Sequence, residues 1–447
     1  HCKELQELPG ELGGLEKLLA LDLRSCHKLE KLPGSIGKLT NLHSLDLRWC
    51  SSFQELPSSI IKCVNLRHLR LQECRQLKHM PLGLGNLPHL QTLDWFVARG
   101  QSWSSIDPNS PNECNQSDAA DDHVGGLAEL NHLNSVKELT ICVDGCWSSV
   151  SEAMVANLQA KEKLAELCIR FDGGSRKDHE MMLQGFQPHA NLITLSIMNY
   201  RGETLPSWLN GQGYLPNVKE IRISGTEVHR YLGSLARLPS LKVLDIWMRP
   251  KREIIENTAT VGPSNESMKA DATADEANPN RGPETNADTP AAPLFPSLER
   301  LRLTTSLFDV DGRWRSNSRG ECFRLGAHES ANAFPRLKQL RFDFLEWEVV
   351  PKEFQQVPSL ESLLFFGCRQ LKEIPDCIDS LKSLQELAIY SSPKLTLLPK
   401  QIANLANLKY FAVVGCPNLV ERCRKPSGED WPLIQHVPHV RVTIRRQ

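Results

Sequence analysis

The sequence lacks most of the features that assign a chain to a ligand or a membrane. Its 447 residues carry 52 Lys and Arg against 53 Asp and Glu, which leaves a formal net charge of -1 and a pI near 7.0. A balance this close to neutral gives no electrostatic reason to expect nucleic acid or an anionic membrane surface as a partner. No run of about twenty apolar residues occurs, so no integral membrane span is predicted.

Catalytic motifs are also scarce. The segment Gly34–Thr40 (GSIGKLT) has a faint likeness to a phosphate-binding loop, which requires a glycine five positions before its Gly-Lys pair and Ser or Thr directly after that pair. Leu32 and Leu39 occupy these two positions, so the segment is interpreted as a structural turn. No HExxH, Ser/His/Asp arrangement or paired carboxylates stand out. The sequence therefore predicts no catalytic residues, no cofactor-binding residues and no enzyme.

Cysteine occurs fourteen times, a density too low for a small secreted disulfide framework. Cys142 with Cys146, and Cys416 with Cys423, lack both the CxxC spacing and the histidine pair of a zinc finger, so no metal site is predicted. Several other cysteines recur at one position of a repeat. Such thiols lie on neighbouring repeats, and a reducing cytoplasm is the compartment expected for them.

The chain repeats itself every 24 residues at both ends. In the N-terminal part the repeated position holds Cys2, Cys26, Cys50 and Cys74. In the C-terminal part it holds Cys368, Ser392 and Cys416. A Leu-Pro dipeptide, or a close variant of it, recurs with the same step, and the segment between reads LxxLxLxxC. This unit is the leucine-rich-repeat pattern in its cysteine-bearing form.

The spacing within the unit predicts the fold. LxL is a period-2 alternation, so it predicts a short strand with both leucines on one face. The following cysteine is small enough to be buried where the chain turns inward, and the proline ends the extended backbone on the return leg. One repeat cannot offset its own conformational entropy, so repeats must stack. We predict an α/β leucine-rich-repeat solenoid, or horseshoe, with a concave parallel β-sheet, about fourteen repeats and an irregular convex side.

In the middle of the chain the spacing between successive repeats departs from 24 residues, but the strand pattern remains recognisable. They are predicted around Leu139–Ile141, Leu167–Ile169, Leu195–Ile197, Ile221–Ile223, Leu244–Ile246, Leu301–Leu303, Leu340–Phe342, Leu363–Phe365, Leu387–Ile389 and Phe411–Val413. The longer steps between the middle strands predict helical segments on the convex side, with suitable spacing over Val150–Lys163.

Six segments follow from this pattern. They are regular 24-residue repeats (1–98), a variable Ser/Asn/Asp-rich insertion (99–126), irregular repeats (127–248), an insertion too poor in large apolar residues to order itself (249–293), further repeats (294–420) and a C-terminal capping segment (421–447). Because His1 already continues the repeat without a capping unit, more protein is expected upstream.

The candidate binding residues lie between or just after the strand leucines, where side chains point out of the concave face. They are Asp22, Arg24, Asp46, Arg48, Arg70 and Asp94 near the N-terminus, Trp247 in the centre, and Phe366, Tyr390 and Val414 near the C-terminus. We hypothesise that the apolar C-terminal group docks a partner. The alternative is a cross-strand ladder that only stabilises the sheet. The charged end could face an upstream module, or its Asp and Arg residues could simply pair with each other.

Several segments resemble the leucine-rich-repeat region of plant nucleotide-binding resistance proteins of the coiled-coil class. They include LDLRSC (21–26), LDLRWC (45–50), LQGFQPH (183–189), YRGETLPSW (200–208) and the closing CPNL (416–419), GEDW (428–431) and HVP (436–438). The resemblance covers essentially the whole chain.

The resemblance implies a sensor or autoregulatory region of an intracellular immune receptor. Its expected partners are a pathogen effector, a guarded host protein or the receptor's own upstream nucleotide-binding domain, and ADP or ATP is expected only in that domain. The alternatives are a free-standing intracellular scaffold and the repeat region of a ubiquitin-ligase adaptor. A cell-surface receptor fits less well, because its repeats carry Asn followed by Gly-x-Ile-Pro.

Overall fold

The computed structural model describes residues 2, 4–100, 124–209, 213–226, 231–248, 295–305, 334–350 and 357–444. The predicted insertion 249–293 lies wholly outside these ranges, and most of the insertion 99–126 does as well. The division of the chain into six segments therefore stays a prediction.

Within these described ranges, fifteen strands form one open parallel sheet in chain order. They are β1 (Ala20–Asp22), β2 (Ser44–Asp46), β3 (His68–Arg70), β5 (Thr92–Arg99), β7 (Glu138–Asp144), β8 (Glu166–Phe171), β9 (Thr194–Tyr200), β10 (Glu220–Gly225), β11 (Val243–Met248), β12 (Arg300–Thr305), β13 (Gln339–Asp343), β14 (Ser362–Phe366), β15 (Glu386–Tyr390), β16 (Tyr410–Val414) and β17 (His439–Thr443). Two further short strands, β4 (Met80–Pro81) and β6 (Val124–Gly125), pair antiparallel.

The strand leucines are in register along the sheet. Leu21 pairs with Leu45, Leu45 with Leu69, and Leu69 with Leu93. The same row continues through the later strands, as in the pairing of Leu363 with Leu387. These side chains point to one side and form a single continuous core with those of the return legs. The predicted solenoid and its concave parallel sheet are confirmed.

Short 3-10 helices carry the return legs of the regular repeats. They span Gly10–Gly14, Gly34–Lys38, Ser58–Lys62, Asp376–Ser380 and Lys400–Asn404. Each begins directly after a proline in extended conformation, with φ between -60° and -67°. The proline of the Leu-Pro dipeptide thus marks the end of extended backbone, as predicted. The segment that resembles a phosphate-binding loop is one of these helices.

Longer return legs carry α-helices. They are α1 (Ala128–His132), α2 (Val150–Met154), α3 (Arg176–Gly185), α4 (Leu232–Leu235), α5 (Pro417–Arg422) and α6 (Trp431–Ile434). The helix predicted over Val150–Lys163 is confirmed only in part. It ends at Met154, because Asn157 has a φ of +47°, and a 3-10 helix, Leu158–Ala160, follows. Every helix in the described ranges is too short or too polar to cross a bilayer.

The repeated cysteines serve a packing role that links one repeat to the next. The Cys50 thiol donates a hydrogen bond to the backbone oxygen of Leu23 (Sγ to O, 3.1 Å), and the Cys74 thiol does the same to Leu47 (3.0 Å). Burial raises the pKa of the Cys50 thiol to about 11. The Leu23 and Leu47 oxygens also accept the backbone N–H groups of Cys26 and Cys50 within their own turns, so each thiol adds a second hydrogen bond that joins two repeats.

The C-terminal segment contains a strand that the sequence assigns only to a cap. Residues of β17 pair in parallel with β16, so the described part of the sheet has fifteen strands where about fourteen repeats were predicted. Arg422 binds Asp430 through Nη2 and Oδ1 (2.7 Å), and the Asp430 carboxylate also accepts the backbone N–H of Leu398 (3.2 Å). This buried aspartate ties the closing helices to the preceding repeat.

Candidate functional site

The concave face of the sheet is the candidate site, because its side chains alternate with those of the core. Residues between the two core positions of each strand form one row, which includes Arg222, Asp245, Arg302 and Arg341 in adjacent strands. Residues two positions later form a second row, which includes Trp247, Thr304, Asp343 and Phe366. The face therefore presents rows of side chains in which neighbours are one strand apart, or about 4.8 Å.

At the N-terminal end, aspartate and arginine pair within each strand. Arg24 holds Asp22 through two parallel hydrogen bonds, from Nε to Oδ1 (3.0 Å) and from Nη2 to Oδ2 (2.7 Å). Arg48 holds Asp46 in the same way (3.0 and 2.7 Å). Hydrogen bonds from Arg24 lower the pKa of Asp22 to about 2. Arg70, half-buried, lies beside Asp46 on the next strand.

The Asp22–Arg24 pair is exposed, so it contributes little to stability. Asp46 is 9 % exposed, and its Oδ2 lies 2.7 Å from Nη2 of Arg48 in its own repeat and 3.6 Å from Nε of Arg24 in the preceding repeat. The aspartates and arginines at this end thus pair with each other, as the second alternative predicts. Whether they also bind a partner stays a prediction.

Asp94 has a structural task that the repeat pattern does not reveal. The pairing of β5 with β7 shifts register between Leu93 and Phe96, and the pairing of β3 with β5 stops at Leu93. There the Asp94 carboxylate accepts the backbone N–H groups of Leu71 (2.5 Å) and Gln72 (3.1 Å). Burial raises the pKa of Asp94. Its Oδ1 thus replaces a strand carbonyl, and the side chain is half-buried. A partner-binding role for Asp94 stays a prediction.

In the centre of the face, one buried carboxylate holds two arginines. Asp343 is fully buried, and its Oδ2 lies 2.6 Å from Nη2 of Arg302 while its Oδ1 lies 2.8 Å from Nε of Arg341. The arginine side chains remain 34 % and 42 % exposed. Asp343 therefore fixes two guanidinium groups side by side at the surface of the sheet.

An aromatic group borders these arginines. The rings of Phe344 and Phe366 meet edge to face, with centroids 5.1 Å apart, and Tyr390 follows at 6.1 Å from Phe366. The Arg341 guanidinium lies 5.8 Å from the centre of the Phe366 ring, within cation–π range. Phe366 and Tyr390 remain half-buried. The cross-strand ladder considered as the alternative is present, and it leaves part of each ring accessible.

Val414 does not belong to the accessible surface. It is 1 % exposed, because its short side chain lies between the larger Tyr390 on β15 and Thr443 on β17. The expectation that it faces a partner is wrong, and the reason is the fifteenth strand. Trp247, in contrast, is half-buried at the predicted place in the same row.

Sequence reasoning missed accessible arginines of the face and an exposed tryptophan in a turn next to it. Arg222, Arg302 and Arg341 lie in the middle strands, where the same positional rule finds them once it is applied to every strand. Trp49 is 52 % exposed beside Arg48 and has a φ of 66°. Trp49 lies in the turn that follows the strand, a position that neither row of the sheet includes.

Gly367 is needed for the aromatic group to pack. It has a φ of +67°, and a Cβ there would lie 2.4 Å from the ring of Phe344. Replacing Gly367 by alanine is expected to lower the free energy of unfolding by about 1–2 kcal/mol. Urea denaturation followed by circular dichroism measures the change, and Gly233→Ala, where the added Cβ meets nothing within 4 Å, is the control. An unchanged midpoint for Gly367→Ala would show that the ring moves without cost.

A repeated strand, a turn and a short helical return leg, stacked into one open parallel sheet, define a leucine-rich-repeat solenoid. The chain belongs to the family described as leucine-rich repeat region, whose model matches residues 1–269. Among the residues that the structure describes, no group of three or more His, Cys, Asp or Glu side chains is arranged to hold a metal ion.

Named relatives confirm the resemblance to plant resistance proteins. The chain is 32 % identical over 358 residues to the disease resistance protein RGA2 of Solanum bulbocastanum. This alignment covers 71 % of the chain and 34 % of RGA2. It is 38 % identical over 122 residues to RGA1 of the same species, in an alignment that covers 27 % of this chain and 12 % of RGA1. The chain thus matches about a third of the length of these relatives, or less.

Two solved leucine-rich-repeat structures are among those to which the chain is similar. The Leptospira interrogans LRR protein LIC12759 matches with a TM-score of 0.46 and 18 % identity, over 98 % of this chain and 93 % of that chain. The LRR ectodomain of the plant membrane receptor kinase GASSHO1/SCHENGEN3 from Arabidopsis thaliana matches with a TM-score of 0.35 and 14 % identity, over 90 % of this chain and 42 % of that chain.

Proposed function

We propose that the chain is the leucine-rich-repeat sensor or autoregulatory region of an intracellular plant immune receptor, and that it binds protein partners and catalyses no reaction. The alignment to RGA2 over 71 % of the chain carries this proposal, because that relative is named as a disease resistance protein. The partner is a pathogen effector, a guarded host protein or the receptor's own nucleotide-binding domain. ADP or ATP belongs to that domain and not to this chain.

The chemistry of the concave face supports protein binding. Aromatic and arginine side chains are enriched at the energetically dominant positions of protein interfaces. Here Phe366, Tyr390 and Trp247 are half-buried on a rigid sheet, and Arg302 and Arg341 are fixed by Asp343. Side chains that are already ordered lose little entropy when a partner binds.

The two ends of the face suit different contacts. At the N-terminal end, Asp22 and Arg24 neutralise each other, as do Asp46 and Arg48, so a partner there gains hydrogen bonds and little net charge attraction. At the C-terminal end, Phe366 and Tyr390 offer apolar area. We assign the effector or guarded protein to the C-terminal end, and the nucleotide-binding domain to the charged end.

A binding assay with matched variants tests the proposal. The full chain is immobilised, and a panel of pathogen effectors and a purified nucleotide-binding domain of a related receptor are passed over it. Phe366→Ser with Tyr390→Ser is expected to weaken effector binding by roughly tenfold, since two accessible rings are lost from the interface. The control is Tyr214→Ser with Val155→Ser, because both residues are exposed outside the sheet.

The outcome separates a binding face from a structural ladder. Circular dichroism and gel filtration first establish that both double variants are folded. If no protein of the panel binds, or if the control weakens binding as much as the concave variant, the proposed function fails.

A further inference from the structure

Arginine is concentrated on the middle strands of the concave face. Strands β10 to β13 carry four arginines and three carboxylates, namely Arg222, Arg300, Arg302, Arg341, Glu220, Asp245 and Asp343. Adjacent strands are about 4.8 Å apart, so these charges lie within one short patch. The patch has a surplus of one positive charge on a chain whose net charge is -1.

The solvent-exposed charge of the patch is more positive than a surplus of one, because its carboxylates are buried more deeply than the arginines that they bind. Asp343 is fully buried, whereas the side chains of Arg302 and Arg341 that it holds are 34 % and 42 % exposed. Arg222 is 42 % exposed and Glu220, its partner at 2.5 Å, is 27 % exposed. A partner that approaches the sheet therefore meets guanidinium groups, while the neutralising carboxylates lie closer to the backbone.

Arg300, Arg302 and Arg341 each have N–H groups that are able to bind a further hydrogen-bond acceptor. Arg300 is exposed and its Nε donates to the amide oxygen of Gln339 (2.9 Å), which is an uncharged partner. Arg302 and Arg341 share the single carboxylate of Asp343. Each guanidinium group has five N–H donors, which is more than Asp343 accepts from it, so both groups have donors for a further acceptor. Guanidinium groups bind carboxylates through two parallel hydrogen bonds, which gives geometric selectivity for Asp and Glu side chains.

Apolar surface continues directly from this patch. Leu364 and Phe366 on β14 and Ala388 and Tyr390 on β15 follow Arg341 in the register of the sheet. Ala388 is fully buried, so the larger side chains around it enclose a shallow apolar depression. An occupant of both parts must therefore combine carboxylates with a large apolar side chain.

We propose that the basic-aromatic patch, defined as Arg222, Arg300, Arg302, Arg341, Phe366 and Tyr390, binds an acidic segment of a protein partner that carries an aromatic or aliphatic side chain next to its carboxylates. The proposal rests on the proposed function and states the chemistry of the partner. The carboxylates bind the arginines of β10 to β13, and the apolar side chain packs on the two rings of β14 and β15.

A displayed library of random twelve-residue peptides tests the chemistry without a known partner. The full chain is the target, and panning is done at about 50 mM and about 300 mM salt, since screening weakens contacts between exposed charges. Selected sequences are expected to be enriched in Asp and Glu beside Phe, Tyr, Trp or Leu, with fewer clones at the higher salt. Selected peptides are then synthesised and their dissociation constants are measured.

Three variants locate the binding. Arg222→Gln with Arg300→Gln removes two accessible charges, leaves the Asp343 pairs in place, and is expected to weaken the peptides roughly tenfold. Arg302→Gln with Arg341→Gln and Asp343→Asn removes the central guanidinium groups without leaving a buried charge, and is expected to weaken them further. The control, Lys177→Gln with Arg237→Gln, removes two exposed charges outside the sheet and is expected to change nothing.

The possible failures are distinct. Peptides that lose binding in Phe366→Ser with Tyr390→Ser, yet are neutral or basic and insensitive to the arginine variants, would overturn the acidic-segment proposal and leave the proposed function standing. Peptides that no concave variant affects would overturn both. A labelled single strand of twenty deoxythymidines is included, and tighter binding of this strand than of the acidic peptides would overturn the assignment to a protein segment.

Discussion

Replacing Arg302 and Arg341 together by methionine is expected to lower the free energy of unfolding by about 3–5 kcal/mol at neutral pH. Methionine retains most of the apolar stem of each arginine, so the change removes mainly the guanidinium groups. What remains is the Asp343 carboxylate, which is fully buried and has lost both of its ion pairs. A buried charge without a partner is among the costliest defects in a folded protein.

Asparagine at position 343 provides the matched control. Arg302→Met with Arg341→Met and Asp343→Asn is expected to recover more than half of the loss, because no buried charge remains in that variant. Urea denaturation gives the global change, and amide hydrogen exchange in β12 and β13 shows whether the loss is local, since repeats in a solenoid differ in stability. Equal destabilisation of the double and triple variants would mean that lost packing, and not the stranded carboxylate, causes the effect.

The architecture was predictable because a repeat imposes the same geometry many times. The pairing of Leu21 with Leu45, and of Leu363 with Leu387, follows directly from the LxL alternation and the 24-residue step. The middle strands were also recognisable where the step varies, as at Leu167–Ile169 in β8, because each strand must still bury two alternating apolar side chains. Burial of that row is a property of each strand by itself.

The departures arise where a residue depends on what lies beside it in the sheet. Asp94 has an outward position by count, but the register shift between Leu93 and Phe96 directs its carboxylate to the amides of Leu71 and Gln72. Val414 is buried because β17 lies next to it, and the short His439–Thr443 alternation has no leucine to reveal that strand. Sequence spacing specifies direction, whereas accessibility is set by neighbours that are distant in the chain.

The candidate site was predictable to the same limited degree. Phe366 and Tyr390 were identified by their row, and they are accessible in part. The shared pairing of Arg302 and Arg341 with Asp343 joins residues 41 and 2 positions apart along the chain, across two adjacent strands. This pairing can be predicted only if the register of β12 against β13 is known. The number of residues between these two strands departs from the regular 24, so counting along the sequence does not give that register.

Acid is expected to destabilise the region around β8 and β9 through His179. This side chain is 2 % exposed and stacks on Phe171 with ring centroids 4.3 Å apart. Its Nε2–H donates to the backbone oxygen of Gly173 (2.8 Å), and its Nδ1 accepts the backbone N–H of Arg201 (3.0 Å). Both nitrogens are therefore satisfied by the neutral ring, and burial lowers the pKa of His179 from 6.5 to about 4.

The sign of the pH dependence follows from that direction. Between pH 6.5 and pH 4 the unfolded chain binds a proton at this histidine and the folded chain does not, so protonation favours unfolding. The stability that the neutral ring contributes is fully present above pH 6.5 and is lost as the pH falls through 4. A shift from 6.5 to about 4 corresponds to about 3 kcal/mol over this window.

His179→Gln tests this link, because glutamine has a donor and an acceptor but does not titrate in this range. The free energy of unfolding is measured by urea denaturation at intervals from pH 7 to pH 4, together with hydrogen exchange of the amides in β8 and β9. The variant is expected to lose about 3 kcal/mol less than the unmodified chain over the same interval. His27→Gln, which replaces an exposed histidine, is the control. If the His179→Gln curve runs parallel to that of the unmodified chain, the buried histidine is not the source of acid sensitivity, and carboxylates such as those at the concave face must carry it instead.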